Sequence, residues 1–190
     1  VLFMNFRNDI REGIQREYYP DGKRSKILTY KNGVLDGTHI TFNAEGKVEV
    51  SLSYKEGKKN GKQTYFYSNG KEAGIEMWTM DQKDGDFITY NDEGLILAKS
   101  TFKKDLAIGE HLVNDEKGKT IHQTIYDKKG TKQYEMEIDE YGDKKVLFDI
   151  NKTEKSSGIT EDDDPNDISP KTEKKNKRKK KKERRKKDKA

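Results

Sequence analysis

The sequence predicts an all-β fold, an elongated antiparallel array of β-hairpins in one twisted sheet, and three observations predict it. Glycine returns at a fixed interval of 24 residues, at 22, 46, 70, 94, 118 and 142, and a second series runs 13, 37, 61, 85 and 109. Aromatic residues keep the same interval at Phe6, Tyr30, Tyr54, Trp78, Phe102 and Tyr126, and again at Tyr18, Phe42, Phe66 and Tyr90. Between the glycines the chain alternates: Val48, Val50, Leu52 and Tyr54 share one parity, Glu49, Ser51 and Ser53 the other. A fixed period in this range is the signature of a repeat architecture, and alternation is the signature of a strand.

Taken along the chain, each of about six units reads as two short strands and two turns. HITF (39–42), QTYFY (63–67) and DFITY (86–90) are rich in strand formers. Asn-Gly at 32–33, 60–61 and 69–70 predicts turns with positive φ, where a residue lacking Cβ meets no steric penalty. A propeller blade needs four strands in about 40 residues, too many for this unit. A parallel β-helix does not reverse twice per unit, as the spacing of Gly33, Gly46 and Gly57 requires.

Charge divides the chain into three. Residues 1–150 hold 24 basic and 26 acidic residues, the acidic linker 151–170 has a net charge of −4, and the tail 171–190 has +11. The basic pI therefore belongs to the tail, and anionic partners are expected only there. Of 36 Leu, Ile, Val and Phe residues, 34 fall in 1–150, enough for shallow burial rather than a thick core. There is no cysteine, which removes disulfides and thiolate metal sites and fits a reducing, cytoplasmic setting; a start at Val1 equally fits export with a leader removed.

The motif aromatic-x-x-Gly-x-x-x-Gly, as Tyr30-Lys-Asn-Gly33-Val-Leu-Asp-Gly37 and Tyr54-Lys-Glu-Gly57-Lys-Lys-Asn-Gly61, is followed by a strand ending in FNAEGK or FYSNGK. It resembles the MORN-type repeat, and more closely the bacterial variant found in proteins labelled YwqK-like antitoxins than the eukaryotic form. The resemblance covers about residues 6–142 and implies an elongated hairpin array used in binding and scaffolding. Its repeat-defining positions are Tyr30, Gly33, Gly37, Gly46, Tyr54, Gly57, Gly61, Gly70, Trp78, Gly85, Gly94, Phe102, Gly109 and Tyr126. Two units depart, since Trp78 leads into TMDQKDG and Phe102 into KKDLAIG, each without the inner glycine.

No catalytic constellation emerges, and an enzyme is not expected. Gly-x-Ser-x-Gly, phosphate-loop and His-Glu-x-x-His patterns are absent. His39 and His111 occupy equivalent places three units apart and are expected to be surface residues, while His111 and His122 flank one turn and would face each other in a symmetric hairpin. Two imidazoles fall short of a zinc site. The acidic run EDDDPND (161–167) lacks the spacing of a calcium loop. No cofactor or small-molecule substrate is expected.

The expected function is non-catalytic protein binding or scaffolding. Tyr65, Tyr67, Met77 and Phe87 lie on the parity opposite Phe66, Trp78 and Ile88, and are the candidate partner surface. The tail KTEKKNKRKKKKERRKKDKA is expected to be disordered alone, because like charges recur at every helical spacing. Its Arg178, Lys179, Lys180, Lys181, Lys182, Arg184 and Arg185 would attract nucleic acid or an anionic membrane without sequence specificity. An antitoxin-like role, with a toxin protein as partner, is the alternative for the array.

Overall fold

A computed structural model of the chain describes residues 1–152, and Val1–Asn151 form one unit. Its strands are β1 (Leu2–Phe3), β2 (Phe6–Arg7), β3 (Ile10–Arg11), β4 (Gly13–Tyr18), β5 (Arg24–Lys31), β6 (Val34–Phe42), β7 (Val48–Lys55) and β8 (Lys58–Lys59). They continue as β9 (Gly61–Phe66), β10 (Glu72–Thr79), β11 (Gln82–Tyr90), β12 (Ile96–Lys103), β13 (Leu106–Asn114), β14 (Thr120–Tyr126), β15 (Lys132–Ile138) and β16 (Lys144–Asp149). One antiparallel sheet of 14 strands runs β1-β4-β5-β6-β7-β9 and then in chain order to β16, with β8 paired to β7; β2 and β3 form a separate ribbon. The sheet is open, with β1 and β16 at its edges. The acidic linker beyond Lys152 and the basic tail, including Arg178 to Arg185, lie outside the described residues.

Two kinds of turn alternate along the chain. At one margin the turns have two left-handed residues: Asn8-Asp9, Asn32-Gly33, Glu56-Gly57, Met80-Asp81 and Lys104-Asp105, all with φ between 49° and 81°. This is the type I′ pattern, whose twist matches that of the strands it joins. The two units that depart from the repeat motif therefore keep its turn, using Asp81 and Asp105, as the first turn uses Asp9, where the turns at 32–33 and 56–57 use glycine. At the other margin glycine closes a three-residue loop, as where Asn43 N–H donates to the Lys47 carbonyl and Gly46 N–H to that of Asn43, both at 2.9 Å. A left-handed glycine is required there, and Gly22, Gly46, Gly70, Gly94, Gly118 and Gly142 have φ between 78° and 95°. The alternation ends at 127–131, where Gly130 makes a loop of the second kind in the place of a type I′ turn.

Both margins are laced from unit to unit. Gly33, Gly57, Asp81 and Asp105 donate their N–H groups to the carbonyls of Arg11, Leu35, Lys59 and Lys83 at 2.7–2.9 Å. Glu12, Asp36 and Asn60 side chains accept from the N–H of Asn32, Glu56 and Met80. At the glycine-loop margin the lysines after the glycines reach forward, Lys23 to the Ala44 carbonyl and Lys47 to that of Ser68, both at 2.7 Å. These bonds satisfy turn carbonyls and amides that strand pairing leaves free.

The core is thin. Met136 is the only buried apolar residue among those described, whereas Gln15, Gln63, Thr64, Asn91 and Thr124 are buried polar ones. A sheet of one layer leaves most side chains half-covered on either face, so backbone pairing and cross-strand contacts carry its stability.

Candidate functional site

The second glycine series does not mark turns, correcting the expectation for Asn60-Gly61. Each of its members sits in a kink of the strand following a type I′ turn, directly across from an aromatic residue. Gly13 pairs with Tyr30, Gly37 with Tyr54, Gly61 with Trp78, Gly85 with Phe102 and Gly109 with Tyr126. Their φ values, from 68° to 123°, disfavour any side chain. Pairing an aromatic residue with a strand glycine is the arrangement that designed sheets use to rescue glycine.

Register breaks accompany the kinks. Between Leu28 and Tyr30, and between Glu76 and Trp78, the pairing skips Thr29 and Met77. Bulges increase twist and release backbone groups from the ladder. At the equivalent place in other units a side chain from the next strand bonds the backbone: Gln63, with no exposed surface, accepts from Ser53 N–H at 3.1 Å and donates to the Ser53 carbonyl at 3.0 Å. Gln15 treats Asn5 in the same way, and His111 Nε2 lies 3.1 Å from the Thr101 carbonyl. Gln15, His39, Gln63, Phe87, His111 and Glu135 occupy this position in successive units.

The result is a ladder of rings on one face. Trp78, Phe87, Phe102, His111 and Tyr126 contact one another in that order, with centroids 5.4, 5.1, 5.5 and 4.9 Å apart. The first three contacts are edge-to-face, the favoured arrangement for ring quadrupoles. Lys59 Nζ lies 4.6 Å from the Trp78 centroid, and Lys83 Nζ lies 5.3 and 4.8 Å from those of Phe87 and Phe102. Glu76 Oε2 accepts from Trp78 Nε1 at 2.8 Å and from the Tyr65 hydroxyl at 3.1 Å. Burial, followed by the Glu76 charge and its hydrogen bond, pushes the Tyr65 phenol up to about 12.

This geometry redistributes the expected partner residues. Tyr65 and Phe87 lie on the face of Trp78, not opposite it, because Gln63 pairs with Glu76 and Glu76 with Phe87 around the break at Met77. Met77 is turned toward Gly85, and the Tyr67 hydroxyl is engaged by the Tyr90 carbonyl at 2.6 Å. The four do not form one surface. Simple alternation fails for Val48 too, which pairs with Phe42 while Val50 pairs with Thr41, skipping Glu49. Nor are the histidines plain surface groups: both ring nitrogens of His39 are buried without a partner. His111 pairs with Thr124 and His122 with Val113, so those two histidines are diagonal rather than opposed.

The family model described as a MORN repeat variant matches residues 11–32 and 35–56. Residues 11–56 are thus two MORN-type repeats. No curated protein matches the chain. Each matched segment ends one residue before an inner glycine, Gly33 or Gly57. MORN repeats form a non-enzymatic repeat family generally associated with protein or membrane binding. In these terms the aromatic and glycine positions of the MORN unit are cross-strand partners in neighbouring units, and the ladder is their cumulative product.

Proposed function

We propose that the MORN-type array is a non-catalytic binding or scaffold element that holds another protein along its aromatic face. The observation that carries this reading is the continuous row of half-buried rings from Trp78 to Tyr126 on a sheet one layer thick. Rings of this kind supply large contact area at low conformational cost, and Lys59 and Lys83 beside them provide the polar rim that a protein interface uses. The repeat geometry extends such a surface one unit at a time, which suits an elongated partner segment.

The test is a pull-down with the full chain, with a chain ending at residue 152, and with Lys59→Glu and Lys83→Glu together, at low and high salt. The proposal expects a partner retained by the first two, indifferent to salt and lost with the double variant. Retention of one toxin-like protein would refine the role to an antitoxin. Binding confined to the full chain and abolished by salt would overturn the array as the binding element and move function to the basic tail, toward nucleic acid or an anionic membrane.

A further inference from the structure

His39 occupies the same repeat position as Gln15, Gln63 and His111, each of which bonds the backbone of the residue equivalent to Thr29: Asn5, Ser53 and Thr101. His39 does not. Its Nδ1 and Nε2 are both buried and both unpartnered, with its own register break at Thr29 beside it. An imidazole without a hydrogen-bond partner has nothing to stabilise its charged form.

The groups around it add to this. Leu28 of β5 and Leu52 of β7 are its direct cross-strand neighbours. Of the titratable groups on the adjoining strands, Lys26 and Tyr30 of β5, Tyr54 of β7 and Glu17 of β4 share the face of His39, and Arg11 lies over Tyr30. The Glu17 carboxylate is engaged by Lys26 at 3.5 Å, so the nearest anion already has a cation of its own.

We propose that His39 makes the joint of β5, β6 and β7 an acid-labile segment of the array, which opens when the imidazole gains a proton while later units stay closed. The array thereby carries a proton-sensitive break in its first third, on the same face as the ring ladder. Burial first, and the Lys26 charge second, lower the affinity of His39 for a proton. A histidine kept neutral by the fold contributes stability fully present above its ordinary value near 6.5 and lost as pH falls through that value toward the lowered one. The window is thus mildly acidic.

The experiment is hydrogen exchange of the full chain between about pH 7.5 and about pH 5, corrected for intrinsic rates. In the parent chain the opening constant of β5–β7 amides should rise about ten- to thirtyfold over this range, while β9–β13 rise far less. His39→Gln, which installs the side chain that bonds the bulge elsewhere, should abolish the rise. Lys26→Gln should reduce it, and His111→Gln should leave it intact. A rise that persists in His39→Gln, or one spread evenly along the sheet, would overturn the proposal.

Discussion

Trp78 stands directly across the sheet from Gly61, the member of the second glycine series that precedes it, and not from Gly85, the member that follows it in the repeat motif. The same displacement joins Phe102 to Gly85 and Tyr126 to Gly109. The motif as written along the chain is therefore half of one contact and half of the next. Each unit supplies a ring to the unit before it and a bare backbone to the unit after it, which makes stability a property of neighbours.

Gly85 and Gly109 should differ sharply in their tolerance of alanine. At Gly85 a Cβ would lie 2.7 Å from Met77 Cβ with φ at 123°, whereas at Gly109 nothing lies within 4 Å and φ is 68°. Gly85→Ala is expected to cost about 3 kcal/mol, combining strain and overpacking, and Gly109→Ala about 1 kcal/mol from conformation alone. Urea unfolding of the two variants checks the order; equal losses would show that the close approach at Met77 is not limiting.

The inner glycine of the type I′ turn answers to the residue after the previous turn. A Cβ at Gly33 would sit 3.2 Å from Ile10 Cγ2 and one at Gly57 3.7 Å from Val34, and in the loop that replaces this turn at 127–131 one at Gly130 would overlap Leu106. Where aspartate replaces glycine, at 81 and 105, the corresponding residues are the flexible Lys58 and Gln82. Gly33→Asp should destabilise by about 1–2 kcal/mol, and Ile10→Lys should recover part of that loss. A double-mutant cycle by thermal melting measures the coupling, and strict additivity would dismiss it.

Gln63→Leu should cost about 2–4 kcal/mol despite being close to isosteric. It strands the Ser53 N–H and removes the amide's bonds to the Gly61 carbonyl and to the Ser53 carbonyl, which keeps only the Asn60 N–H. Chemical denaturation measures this directly, and Gln63→Glu at low pH, where a neutral carboxyl can donate one bond, should fall between the two.

Alkaline pH should weaken the centre of the array through Tyr65. Its phenol is raised from 10.0 to about 12, so the folded chain prefers the neutral form. Stability from this source is fully present below about pH 10 and is lost as pH rises through the folded value. Absorbance titration of tyrosinate should show one late-ionising phenol that disappears in Tyr65→Phe. If the parent chain and Tyr65→Phe titrate alike, Glu76 does not hold that hydroxyl.

Much of the architecture was legible because it is local. The period of the glycines, the turn chemistry of Asn32-Gly33 and the alternation within each strand follow from backbone sterics and from side chains pointing to opposite faces. The aromatic face was misread because residue parity was compared between strands, whereas it is cross-strand pairing that sets which residues share a face. Gly61 pairs with Trp78, Gln63 with Glu76 and Glu76 with Phe87, so the odd-numbered Tyr65 and Phe87 stand on the face of the even-numbered Trp78, and that pairing leaves no mark in composition. The role of Gln63 was likewise invisible, since a glutamine in a strand reads as a solvated residue until the backbone it must satisfy is in place.

By itself, then, the sequence determined that this chain is an array of antiparallel hairpins of MORN type, because glycine and aromatic placement at a constant interval constrains each turn independently of the rest. Only the tertiary structure decided which glycine meets which ring, which face carries the ladder, and why aspartate can stand in for glycine at 81 and 105. Those are relations between units, set by cross-strand register and close packing, and no pattern within a single unit contains them.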